Sequence, residues 1–172
     1  MKFNQKIITP IKTVTLLLFV CLSSCKIYKF HDVSIPIDVK TVKVNYIENK
    51  APYVNPQLSP QLTDKLRQKI VGQTRLTQTN ADNVDWEISG YVNNYSFSTS
   101  AISGQREANN RLTVGVHITF DDHKHDKVSE FDISRNFEFP SSQSLEQAEA
   151  SLGDEMIRSL TDDIFNHIFS QW

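Results

Sequence analysis

The residues best suited to chemistry gather in one short stretch: Asp121, Asp122, His123, His125 and Asp126 offer carboxylates and imidazoles, the donor types of a divalent-metal site. Two histidines two apart, flanked by Lys124 and Lys127, are also what a solvated hairpin turn carries. On that reading the stretch binds no metal, and replacing both histidines with Ala should leave stability essentially unchanged. Nothing else in the chain supplies a reaction centre. There is no G-x-S-x-G elbow, no phosphate-cradling glycine loop and no H-E-x-x-H, and the chain has only five glycines. The serines lie in polar loops with no histidine placed to activate them. The sequence therefore reads as a non-enzyme without cofactor or catalytic residue.

The two cysteines are accounted for by the N-terminus. Lys2, Lys6 and Lys12 occur without an acidic residue, and an apolar run from Thr13 to Leu22 follows. A spanning helix needs about 20 apolar residues, and this run supplies about half. The layout is that of a secretory signal, residues 1–24. Its end, Leu22-Ser23-Ser24-Cys25, resembles the lipobox of bacterial lipoproteins, in which the cysteine is acylated on sulfur and amine. Several chains, at about 0.8 kcal/mol per buried methylene, hold a protein to a bilayer far better than one. Cys21 would leave with the signal and Cys25 would carry lipid, so no internal disulfide is expected even in an oxidising compartment.

The signal takes three of the 18 basic residues and none of the 20 acidic ones, leaving 15 against 20, a net charge of −5. A nucleic-acid binder usually shows the opposite balance. About 148 mature residues suit one domain with a sizeable core.

Residues 25–38 show no sustained period and read as a lipidated tether, with a single domain over 39–172. Lys40 to Ile47 alternates, with Val42, Val44 and Tyr46 on one side, as a half-buried strand does. A proline-rich loop leads to a helix for which Ser59 and Pro60 are the expected N-cap and first turn and Gly72 the expected C-cap. Val84, Trp86 and Ile88 alternate, and the apolar parity changes to Tyr91, Tyr95 and Phe97 after Gly90, which predicts a bulge or bend there. "ISGQREANN" reads as a polar connection. Leu112, Val114, Val116, Ile118 and Phe120 define the clearest strand; Phe131, Ile133, Phe137 and Phe139 define the next. Ser144 with Gln147 forms a capping box before a long helix with apolar residues from Leu152 to Phe169. The order β-α-β-β-β-α predicts an α+β fold: a small, mainly antiparallel sheet with both helices on one face.

That arrangement leaves a sheet face with Asp85, Glu87, Thr113, His117, Thr119, Ser134 and Asn136. If it met only water, His117→Glu would be tolerated. Arg135 sits at an apolar-parity position, where it would snorkel past the core edge or pair with an acid. Phe165, Phe169 and Trp172 read as core, although a terminal Trp could meet a partner.

The strings "CKIYKF", "VKTVKV", "APYVNPQLSPQLTDKLR", "EISGYVNNYSFS", "ANNRLTVGVHITF" and "LTDDIFNHIFSQW", in that order, make the mature chain similar to the LptE lipopolysaccharide-assembly lipoproteins of the Bacteroidota type. The resemblance implies two helices on a small sheet. It further implies a lipid-anchored protein of the outer membrane that plugs the LptD β-barrel, helps it assemble and supports lipopolysaccharide transport. With Lys26 after the cysteine, and no acidic pair of the kind that signals surface export, the resemblance implies the periplasmic face. Arg106, Arg111, Lys124 and Lys127, with His117, are possible contacts to the barrel or to lipid A phosphates, by charge alone. The alternative is a stand-alone periplasm-facing lipoprotein that binds a lipid or peptide in an apolar pocket between sheet and helices.

Overall fold

The alternation in the second half of the chain produces three strands of 14 residues, β4 (Trp86–Thr99), β5 (Asn109–Asp122) and β6 (Lys127–Pro140), joined as an antiparallel meander. The computed structural model describes residues 35–99 and 109–170. Leu112, Val114, Val116, Ile118 and Phe120 are all buried, and their neighbours point to the other face, which is the two-residue period at work.

The first half adds shorter pieces. β1 (Thr41–Val44) and β2 (Glu48–Asn49) both lie parallel to β4; β3 (Thr77–Gln78) lies parallel to β1. The sheet order is β3-β1-β4-β5-β6, so the sheet is mixed, with long antiparallel ladders on one side and short parallel ones on the other. Helix α1 (Leu58–Gln73) makes the crossover between parallel strands, and α2 (Leu145–Phe169) follows the meander.

One core holds these layers together. Leu62, Leu66 and Ile70 of α1 and Met156, Leu160 and Ile164 of α2 are almost fully buried with Val42, Trp86, Ile88 and the inward row of β5. The Trp86 ring meets Phe120 edge-on at 5.0 Å and Phe169 at 5.9 Å. The helices are also tied laterally: Lys69 Nζ lies 2.6 Å from Asp162 Oδ1. Arg135 pairs with Asp163 through both guanidinium and carboxylate, which explains a charge at an inward position of β6.

Local expectations met the structure unevenly. The capping box forms as read, Ser144 Oγ accepting from the Gln147 amide and the Ser144 amide donating to Gln147 Oε1. Helix α1 starts earlier than expected, with Gln57 at the cap and Ser59 buried inside its first turn. Asn55 initiates that turn by accepting from the Gln57 amide, and burial of Leu58 draws it into the helix. At the other end Thr74, and not Gly72, closes the helix; its amide and hydroxyl both donate to the Ile70 carbonyl.

Tyr46 is exposed and Ile47 buried, the reverse of the expected parity. From Val44 to Glu48 the chain advances four residues while β4 advances three, from Ile88 to Tyr91, and the extra residue exchanges the two faces. The bulge on β4 exists, but at Asn93, between Val92 and Asn94. Tyr91 therefore stays on the polar face. Gly90 serves packing instead: a Cβ there would lie 2.3 Å from the His117 carbonyl oxygen.

Candidate interaction face

Opposite the helices, pairing places Glu87, Ser89, Tyr91, Asn94 and Ser96 of β4 beside Thr113, Gly115, His117, Thr119 and Asp121 of β5, and these beside Glu130, Asp132, Ser134 and Asn136 of β6. This open face is mainly polar, Val128 opposite Asp121 being its exposed aliphatic residue, and several of its side chains bond to one another. Thr113 Oγ1 donates to Asn136 Oδ1 at 2.8 Å.

The centre is His117, whose Nδ1 lies 3.1 Å from Asp132 Oδ1 and whose Nε2 lies 3.9 Å from Glu130. Asn93, pushed out of register by the bulge, donates to the same Asp132 oxygen at 2.9 Å. It reaches from β4 to β6 across Gly115, where a Cβ would stand 2.5 Å from its Oδ1. Bulge and glycine thus build one device that couples three strands. Tyr91 packs on His117 at 5.1 Å between centroids and carries the Lys50 ammonium over its ring at 4.7 Å.

At the β5–β6 turn the face becomes a set of paired charges. Glu87 accepts from Asn45 Nδ2 at 2.6 Å and lies 3.2 Å from His123 Nε2; the Asn45 bond foremost holds its carboxyl below the usual range against the opposing effect of burial. Asp85 belongs less to the face than to its rim. It accepts from the Lys40 and Thr41 amides and the Thr41 hydroxyl, fastening β1 to the start of β4, and the first of these bonds leads in lowering its pKa.

The turn itself is more ordered than a solvated loop. Asp122 is fully buried; it accepts from the Lys124 and His125 amides and lies 2.8 Å from His125 Nδ1. Each histidine of the turn lies between two carboxylates, His123 between Glu87 and Asp121 and His125 between Asp122 and Asp38, and the described residues contain no group of three or more His, Cys, Asp or Glu arranged to hold a metal ion.

The candidate contacts read from sequence do not converge. Arg111 pairs with Glu138 at 3.2 Å near one end of the face, while Lys124 lies 3.6 Å from Asp85 near the other. Lys127 opens β6 opposite Asp122, and His117 stands between these ends. Arg106 and Cys25 lie outside the described residues, as do the signal and most of the tether. Sequence reasoning gave Asn93 and Asp132 no part in a site and read Tyr91 as a member of the apolar row. The switch of apolar parity signalled a bulge, but only the register shows which residue it frees.

The layer between sheet and helices is filled by the core side chains described above. A groove of about 670 Å³ lies instead between α1 and α2, lined by Asp64, Lys65, Gln68, Asp154, Glu155 and Arg158 among others, and its charges are mixed. No helix among the described residues is long and apolar enough to cross a membrane.

A family model described as LptE, lipopolysaccharide-assembly, matches residues 39–168. The chain belongs to the LptE family. That span takes in every described strand and all but the last residue of α2. No curated protein matches in sequence. Among solved structures, a minor lipoprotein from Acinetobacter baumannii is similar at 15% identity and a TM-score of 0.51, covering 76% of this chain and 93% of that one. Protein XCC0632 from Xanthomonas campestris is similar at 13% identity and 0.50, covering 80% and 90%. The hypothetical protein CT253 from Chlamydia trachomatis is similar at 8% identity and 0.50, covering 77% and 99%. At these identities the likeness is one of fold. Membership makes the chain an LptE-type lipopolysaccharide-assembly protein of the cell envelope.

Proposed function

We propose that this LptE-family chain is acylated at Cys25, stands at the periplasmic side of the outer membrane, and plugs the lumen of the LptD barrel without catalysing a reaction. In that position it supports barrel assembly and the passage of lipopolysaccharide. The observation that carries the reading is the open sheet face: three long strands present mainly polar side chains, with Asn93, Thr113, His117, Asp132 and Asn136 bonded to one another and Ser89, Ser96, Thr119 and Ser134 offering hydroxyls outward. The lumen of a large membrane barrel is polar. A surface of this kind matches such a wall in polarity, its hydroxyls being able to pair with polar groups of the wall.

The test must separate folding from assembly. His117→Glu is a poor probe, because the new carboxylate would face Asp132 and Glu130 within the isolated domain. Ser134, exposed on the same face opposite Gly115, is better placed. In water Ser134→Lys should change stability by no more than about 0.5 kcal/mol. Buried unpaired against a barrel wall, the same ammonium costs several kcal/mol. The expected result is an unchanged domain melt with reduced recovery of the barrel from detergent-solubilised membranes and less lipopolysaccharide at the cell surface. Full barrel recovery by Ser134→Lys and by matching Lys substitutions at Ser96 and Thr119 would refute the plug. The anchor is checked alongside: the wild type should take up a palmitate analogue and Cys25→Ala should not.

A further inference from the structure

The two edges of the sheet are unlike. On one side the sheet ends in β3, two residues long, beside the four-residue β1. On the other it ends in β6, which runs for 14 residues with β5 as its one strand partner among the described residues. A long edge strand presents a row of amide and carbonyl groups ready to pair with another extended chain, and short edge strands avoid this. The side chains of β6 say what that chain must look like.

On the open face β6 carries the exposed Val128, then Glu130, Asp132, Ser134, Asn136 and Glu138, and no basic residue. On the helix face Phe131 and Ile133 are only partly buried and Arg135 next to them pairs with Asp163, whereas Phe137 and Phe139 further along the same row are buried. A second copy pairing antiparallel through β6 would bring acidic rows together, and like charges directly opposite are destabilising. A strand with Lys or Arg over the open face and apolar residues over Phe131 and Ile133 turns the same positions into favourable cross-strand pairs and completes the burial.

We propose that the β6 edge, over residues 128–136, is a docking site for an extended segment of a partner protein in which basic and apolar residues alternate. The bound segment becomes a sixth long-path strand beside β6, main-chain bonds supplying affinity and the alternating side chains supplying register. This proposal stands apart from the barrel-plug reading, since it concerns the rim of the sheet and not its face.

The experiment uses the full mature lipoprotein in detergent micelles, with amide exchange and NMR shifts read along β6. The probe is a nine-residue peptide of alternating Lys and Val; the control alternates Glu and Val. Free protein should show rapid exchange at alternate amides of 128–136. The Lys–Val peptide should slow them and shift their resonances, and the Glu–Val peptide should bind at least tenfold more weakly. Glu130, a well-exposed side chain, provides the variant: Glu130→Lys should weaken the Lys–Val peptide severalfold with an unchanged melt, and Glu130→Gln should do so less. The proposal fails if these amides are already protected in the free protein, if both peptides bind alike or neither binds at millimolar concentration, if the shifts map away from β6, or if sedimentation shows a dimer joined through this edge.

Discussion

His125 shows how much a single side chain of an outwardly ordinary turn can hold. It lies 2.8 Å from the buried Asp122 and 3.4 Å from Asp38 in the segment leading into β1, so it ties the hairpin end to the start of the domain. The Asp122 bond foremost raises its pKa above the ordinary value near 6.5, Asp38 adding to the effect while burial and Lys124 oppose it. A raised histidine contributes stability in full below its unfolded value and loses that contribution as pH rises through the higher folded value. Asp85 and Glu87, both lowered, behave in the opposite sense: their contributions are full above their ordinary values of 3.8 and 4.5 and fade as pH falls through the lower folded ones. The melting temperature should therefore be highest from about pH 5 to 6.5 and decline toward pH 8.5. His125→Gln should remove most of that upper decline, as thermal melts at pH 5.5 and 8.5 would register. An undiminished decline in the variant would show that another group carries it. The solvated reading of 121–126 predicts instead that replacing both turn histidines leaves the melts unchanged, and the same two pH values separate the two expectations.

The bulge on β4 belongs to the next scale, because its effect depends on three strands at once. Gly115→Ala would set a methyl against Asn93 Oδ1 and Asn94 Cβ, so it should destabilise by about 1–3 kcal/mol, as overpacking does. Asn93→Ala loses one hydrogen bond to Asp132, worth about 1 kcal/mol. With Asn93 already removed, the added methyl has less to displace. Urea unfolding of the two single variants and the double variant should therefore show a sum well short of additive; strict additivity would mean that the glycine and the asparagine act independently. Elements of this length were the legible ones. The unbroken alternation of β5 and the box at Ser144 appear in the structure as read, because both are enforced by neighbours within a few residues. Less legible was whatever a distant partner decides. Nothing near Val42 announces a parallel pairing with Trp86, nothing near Ser59 shows that Leu58 must be buried, and Tyr91 satisfies either face until His117 and Lys50 are placed beside it. The open face was anticipated as polar, whereas the Asn93–Asp132–His117 arrangement at its centre needed the register.

At the scale of the whole molecule the sheet joins two kinds of contact. The meander pairs strands adjacent in sequence; β1 is fastened to β4 by bonds such as that from the Thr41 amide to Asp85, 44 residues away. Closing the longer loop costs more chain entropy, and non-local pairing forms more slowly than local pairing. In refolding followed by pulsed hydrogen exchange, amides of residues 112–120 and those of 129–139 that bond to β5 should gain protection before those of 42–44; simultaneous protection would contradict this order. Arg75 reinforces the late step, its guanidinium donating to the Ile35, Pro36 and Val39 carbonyls and so gathering the lead-in segment onto the domain. The parallel strip therefore also sets a sequence in time. In a chain exported and anchored as proposed, β1 would emerge first and wait until β4 had followed, so β1 would be the earliest strand to emerge and the last to settle. A carrier escorting this chain across the periplasm would find its longest-lasting handhold there.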